Sequence, residues 1–258
     1  MTELKALLFD VDGTLADTEK DGHRVAFNLA FAEAGLDWDW SVELYGELLA
    51  VTGGKERIKF YLQGHRPDEL SRPHLDEFIA DLHKSKTRHF TELLAEGEIP
   101  LRPGVERLLR EARTAGMRLA IATTTTPANV EALLTHTLGA ASIDWFEVIA
   151  AGDIVPAKKP APDIYLYAME KMALIPEDCL AFEDSRNGIL ATSQSGLGTV
   201  ITVNGYTRDD DFTGALLVLD QMGEPEQPFR VISGEAYGHT CLNLDLLRTL
   251  HKQGAVVA

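Results

Sequence analysis

The chain has 258 residues, 45% of them hydrophobic, which is enough for one large core plus a smaller module and too apolar for global disorder. Its formal net charge of −16 repels nucleic acid and anionic membrane surfaces, so neither is an expected partner. Cys179 and Cys241 make no disulfide framework or zinc-ligand spacing, no apolar run nears the ~20 residues of a membrane span, and Met1 to Asp10 has no secretory pattern, so a soluble cytoplasmic protein is expected, with a monomer as the default.

An apolar run, Ala6 to Phe9, predicts a short buried strand. It ends in Asp10-Val11-Asp12-Gly13-Thr14, and two carboxylates at the mouth of a buried strand are costly unless a cation satisfies them. The pattern then turns helical, with Phe27, Ala30, Phe31 and Ala34 on one face and Gly35 as a stop. Helical segments continue to about Leu94, with breaks at Gly53-Gly54, Gly64 to Pro67 and Ser71 to Pro73. Lys55 and Arg57 stand out there, because backbone amides of a glycine pair can approach an anion and a following cation can complete the contact.

From Leu101 helix and strand alternate. Pro103 to Gly116 predicts a helix, Arg118 to Thr123 a strand, and Thr126-Pro127 a cap and first turn for Ala128 to Leu134. Phe146 to Ala151 is the next strand, followed by Lys159-Pro160-Ala161-Pro162-Asp163 and a helix through Met172. Leu180 to Phe182 is a strand ending in Glu183-Asp184-Ser185, Asn187 to Ser195 a helix, Thr199 to Val203 a strand, and Leu216 to Leu219 a last short strand. The tail from Gly223 shows an extended segment and a short helix around Leu246, Leu247 and Leu250, with no chemistry assigned. This predicts an α/β fold: a Rossmann-like core of residues 1–15 and 96–222 with a parallel sheet, a helical domain of residues 16–95, and a C-terminal extension of residues 223–258.

Ligands of such sheets bind beyond the carboxyl ends of the strands, where Asp10/Asp12, Thr123 to Thr126, Glu183/Asp184 and, soon after a strand, Lys159 all fall. Asp10 suits a nucleophile. Asp10, Asp184 and a carbonyl oxygen near Asp12 suit Mg²⁺, and the absence of His and Cys argues against zinc. Lys159 would touch a phosphoryl oxygen, Thr123 or Thr124 would supply a hydroxyl and an amide, and Asp12 would be free to carry a proton. Taken alone, Thr123 to Thr126 also fits a plain strand end and helix cap, and Lys158-Lys159 a surface loop.

Phe9-Asp10-Val11-Asp12-Gly13-Thr14, Thr123, Lys159-Pro160-Ala161-Pro162-Asp163 and Glu183-Asp184-Ser185 resemble the four motifs of the haloacid dehalogenase (HAD) superfamily. That resemblance implies a mobile helical C1-type cap over the core, an aspartyl-phosphate on Asp10, acid/base work by Asp12, Mg²⁺ bound with Asp10, Asp12 and Asp184, and Thr123 and Lys159 on the phosphoryl group. Leu15-Ala16-Asp17-Thr18-Glu19, Thr52 to Arg57, Lys86-Thr87-Arg88 and Ala122 to Thr125 further resemble the CbbY phosphatases of carbon-fixing organisms, which hydrolyse xylulose-1,5-bisphosphate, an inhibitor of Rubisco. For the substrate, a small sugar phosphate, this implies that Gly53, Gly54, Lys55, Glu56 and Arg57 hold the distal phosphate and that Glu19 meets sugar hydroxyls. His23 and Tyr45 would line the pocket, with Thr124, Thr125 and Thr126 beside Thr123. A phosphosugar mutase on the same framework, another sugar-phosphate phosphatase, and a silent sugar-phosphate-binding regulator remain the alternatives.

Overall fold

The sheet begins where the apolar run predicts it, with β1 over Ala6–Phe9. Six strands follow: β2 (Arg118–Thr123), β3 (Val148–Ala151), β4 (Cys179–Glu183), β5 (Gly198–Thr202), β6 (Leu217–Leu219) and β7 (Val231–Gly234). The computed structural model describes residues 3–97 and 99–257; Met1, Thr2, Glu98 and Ala258, which fall within the expected domain ranges, lie outside the described residues. The strand order is β3-β2-β1-β4-β5-β6-β7, and only β6 and β7 pair antiparallel. The order reverses between β1 and β4, where a parallel sheet leaves a crevice beyond its carboxyl ends. Phe9 is in register with Phe182, so Asp10 and Glu183 stand side by side at the strand ends.

Between β1 and β2 the chain is helical. A π-helical turn, Glu19–His23, runs into α1 (Arg24–Glu33), followed by α2 (Val42–Leu48), α3 (Gly54–His65), a 3₁₀ turn at Pro67–Ser71 and α4 (Leu75–Ala95). Ser41 caps α2 by accepting the Leu44 amide at 3.2 Å. The inward faces of these helices build their own cluster around Phe27, Phe31, Trp40, Tyr45, Ile58 and Leu62. Ala26, Phe90 and Leu94 instead join the core under the sheet, so the helical module is rooted there.

The strands pack on both faces of the sheet, as a two-residue side-chain period requires. Leu7, Phe9, Leu119, Ile121, Leu180 and Phe182 pack with α5 (Val105–Thr114), α6 (Pro127–Leu138) and the C-terminal segment. Ala6, Leu8, Ala120, Ala122 and Ala181 pack with α7 (Asp163–Met172) and α8 (Arg186–Gln194).

Several boundaries differ from the sequence expectation. Ala34 is exposed, because α1 stops at Glu33 and Gly35, at φ 69°, turns the chain away. Gly64 lies inside α3, and the break falls at Arg66, the residue before Pro67, where helical backbone is disfavoured. Left-handed Gly104 delays α5 to Val105, and Phe146 follows a 3₁₀ turn (Ala140–Trp145) rather than opening β3. The tail departs most. β7 adds an antiparallel edge strand, and α9 (Leu244–Val257) is a 14-residue helix rather than a short one. Leu242, Leu244, Leu246, Leu247 and Leu250 complete the core on one face of the sheet. Arg107 fastens this segment, donating to the Gly223 and Leu242 carbonyls at 2.7 and 2.8 Å.

Candidate active site

The ladder between β1 and β4 continues one residue past Phe9, with the Asp10 amide donating to Phe182 O at 3.0 Å. The Asp10 carboxylate accepts Lys159 Nζ at 2.6 Å. The same ammonium donates to Glu183 at 2.6 Å, and Glu183 also accepts the Tyr165 hydroxyl at 2.5 Å. Carboxylate oxygens of Asp10, Glu183 and Asp184 all lie within 4.8 Å of one another, and all three residues are buried. Asp184 is steered by Asn204, whose Nδ2 donates to its Oδ2 at 2.6 Å. Gly13, at φ 88°, passes so close that a Cβ would sit 2.2 Å from that oxygen.

Three buried carboxylates against one ammonium leave this cluster short of positive charge. Burial, reinforced by Glu183 and Asp12, pushes Asp10 up to about 7 despite Lys159. Burial, then Asp10 and Glu183, raises Asp184 well above the carboxylate range. Burial works against the Lys159 ammonium, but Asp10 and Glu183 outweigh it and hold the lysine charged. An all-oxygen donor set lacking one to two positive charges fits a hard divalent cation such as Mg²⁺.

Asp12, two residues from Asp10, has different surroundings. Its Oδ1 accepts the Thr18 hydroxyl at 2.6 Å and lies 2.8 Å from His23 Nε2. Lys86 Nζ is 2.8 Å from His23 Nδ1. An ammonium only donates, so Nδ1 accepts and the ring proton sits on Nε2, directed at Asp12. Burial alone would raise Asp12, but His23 and Thr18, with Lys86 behind, hold its carboxyl well below the usual range. Burial brings the Lys86 ammonium down to about 8. The Asp12 carboxylate thus stands outside the group formed by Asp10, Glu183 and Asp184.

The opposite wall comes from the helical module. Glu19 accepts the Tyr45 hydroxyl, Arg57 Nη1 donates to the same hydroxyl at 2.7 Å, and Arg57 lies 3.6 Å from Glu19. Arg57 is only 7% exposed, and its Nε has no partner among the described residues. Between the two walls is a cavity of about 560 Å³.

Asp10, Asp12, Glu19, Arg57, Thr123, Thr124, Lys159 and Asp184 line this cavity. His23 and Tyr45 act on it through Asp12 and Glu19. Gly53, Gly54, Lys55, Glu56, Thr125 and Thr126 do not line it. Lys55 pairs with Asp153 at 2.5 Å, Lys158 with Glu56 at 3.1 Å and with Asp153 at 2.9 Å, so this turn faces the loop after β3. Thr125 accepts Asn129 Nδ2 at 2.8 Å, and Thr126 caps α6 through the Asn129 amide. Sequence reasoning missed Tyr165, Asn204 and Tyr206: Tyr165 reads only as a core position on a helix, and Asn204-Gly205 only as turn chemistry.

The family model for haloacid dehalogenase-like hydrolases matches residues 4–196. A plasmid-borne protein CbbY of Cupriavidus necator is 48% identical over 252 residues, covering 96% of this chain and 97% of that protein. Protein CbbY of Rhodobacter capsulatus is 55% identical over 213 residues, covering 83% and 91%. Among solved structures, a CbbY mutant from Rhodobacter sphaeroides in complex with xylulose-(1,5)bisphosphate is 49% identical, with a TM-score of 0.79 over 84% of this chain and 94% of that one.

Proposed function

The chain belongs to the haloacid dehalogenase-like hydrolases and is a phosphatase of CbbY type; from that premise we propose that it hydrolyses xylulose-1,5-bisphosphate to xylulose-5-phosphate through a phosphorylated Asp10. The observation that carries the proposal is the unlike treatment of two neighbouring carboxylates. Asp10 sits against Lys159 in the acidic cluster, whereas Asp12 is held apart by Thr18 and His23. The sugar bisphosphate bound to the similar Rhodobacter sphaeroides CbbY supports the substrate class.

In this proposal Asp10 attacks phosphorus, while Lys159 and the Thr123-Thr124 hydroxyls and amides receive the phosphoryl oxygens. Asp10 and Asp184, with a main-chain oxygen near Asp12, would hold Mg²⁺, whose charge offsets that of the phosphoryl group when bound. Asp12 gives a proton to the departing sugar oxygen and later takes one from water. Its low proton affinity rises when a phosphate dianion lies beside it, since like charge favours the neutral acid. Glu19 meets sugar hydroxyls. Arg57, whose Nε has no partner among the described residues, takes the distal phosphate, and Gly53 to Glu56 set that wall in place. Residues 16–95 act as a cap closing over the core and excluding water. Clearing an inhibitor of Rubisco is the physiological role this implies.

The test is product analysis with Mg²⁺ after acid quench. The expected result is stoichiometric inorganic phosphate, xylulose-5-phosphate, and a transient acyl phosphate on the peptide containing Asp10. An isomeric sugar phosphate without net phosphate release would mean a mutase, and binding without turnover a regulator.

A further inference from the structure

Tyr206 lies on the loop between β5 and β6, two residues beyond Asn204, and no role in the proposed chemistry falls to it. The loop is tightly built: the Tyr206 amide donates to Asn204 Oδ1 at 2.8 Å, and the Asn204 amide to Thr207 Oγ1 at 3.1 Å. Asn204 in turn holds Asp184. From this core loop the Tyr206 ring reaches into the helical module. It meets the Tyr45 ring edge-on, with centroids 6.0 Å apart at 61°. Among the described hydrophobic residues that pack on the module's own cluster, it alone comes from outside residues 16–95.

A glycine faces this ring. Gly46 is inside α2, where alanine would favour the helix. A Cβ there, however, would stand 3.1 and 3.3 Å from two atoms of the Tyr206 ring. The Tyr206 hydroxyl is buried and has no hydrogen-bond partner among the described residues. Its ring, rather than its oxygen, makes the contact. Tyr206, Asn204 and Glu19 also form the wall between the main cavity and an adjoining one of about 310 Å³.

From this placement we infer that Tyr206 is a positioning residue: a hook from the core that docks in the Gly46 notch of the cap. There it braces Tyr45, and through Tyr45 both Glu19 and Arg57. Recognition of the sugar bisphosphate then depends on a core residue that touches no reacting atom. Because the same loop carries Asn204, docking of the hook and placement of Asp184 share one rigid turn. The inference rests on the reading of residues 16–95 as a closing cap.

Thermal unfolding of Gly46→Ala, Tyr206→Ala and the double variant, measured without substrate, tests the notch. Gly46→Ala should raise the melting temperature in the Tyr206→Ala background and lower it in the wild type. Additive shifts overturn the inference. The second arm uses whichever sugar phosphate the wild type hydrolyses best, with para-nitrophenyl phosphate as comparator. Tyr206→Ala should raise KM for the sugar phosphate about five- to tenfold and change kcat/KM for the small ester less than twofold. Tyr206→Phe, which keeps the ring, should restore the wild-type KM. Equal losses on both substrates, or no recovery with phenylalanine, overturn the inference. If xylulose-1,5-bisphosphate proves a poor substrate, the functional reading falls, while the unfolding cycle still decides the docking contact.

Discussion

Asp10 and Asp12 show how far two identical side chains can be driven apart by their surroundings. Both follow one buried strand, yet one is pushed up to about 7 and the other well down. Asp10 therefore carries a prediction. Its pKa in the folded chain exceeds its unassisted value of 3.8, so the folded state binds that proton more tightly than the unfolded chain does. Asp10's contribution to stability without metal is lost as pH rises from 3.8 to about 7, and Asp184 acts in the same direction. A divalent cation should offset both, so the gain in melting temperature from Mg²⁺ should be small near about pH 5 and larger near about pH 8. A pH-independent gain would mean the cation binds elsewhere. Arg57 carries the second prediction. Arg57→Ala should cut kcat/KM for a sugar bisphosphate about 10²-fold and for para-nitrophenyl phosphate only a few-fold; equal losses would place Arg57 in the chemistry or the fold. Asp10, Asp12, Lys159 and Asp184 were legible because each charge abuts an apolar strand or follows one closely. The orientation of Asp12 was not, since it depends on His23 and Lys86, contacts made across the helical module.

Among the elements, the central strands were legible as apolar runs bounded by turn residues, and β1 and β2 match their expected limits. β7 was not, because all four of its residues are exposed and alternation gives no signal. The turn before α3 was read as an anion site from its glycine pair, yet Lys55 and Glu56 reach Asp153 and Lys158 across to the core. This alternating set of four charges ties the start of α3 to the loop that ends in Lys159. Such pairs are partly exposed, each worth ~0.2–1 kcal/mol and readily screened. Asp153→Asn, which deprives both lysines of a partner, should therefore raise KM for a sugar bisphosphate about two- to fivefold at low salt. The effect should vanish at about 0.5 M NaCl. An increase that persists in salt would show that the loop's shape, not its charge, is responsible.

At the scale of the molecule, a chain of net charge −16 is proposed to bind a dianionic ester at both ends. Affinity must then come from cations concentrated at the cavity rather than from long-range attraction. Lys159 and Arg57 lie on opposite walls of one cavity, one from the core and one from the helical module. The alternating helix and strand pattern made the α/β class legible, because periodicity is local. How the helical module sits over the sheet was not, because contacts that help set that seam, such as Tyr206 on Gly46 and Asn187 Nδ2 on Thr52 Oγ1 at 3.0 Å, carry no periodic signal. No helix among the described residues is long and apolar enough to cross a membrane. The proposed selection of one ketopentose bisphosphate by this cavity is measured by kcat/KM for xylulose-1,5-bisphosphate against ribulose-1,5-bisphosphate under matched Mg²⁺. The two differ in configuration at one carbon, and a closed, hydrogen-bonding pocket should separate them by about 10²-fold or more in favour of the xylulose ester. Equal values would contradict selection by the cavity.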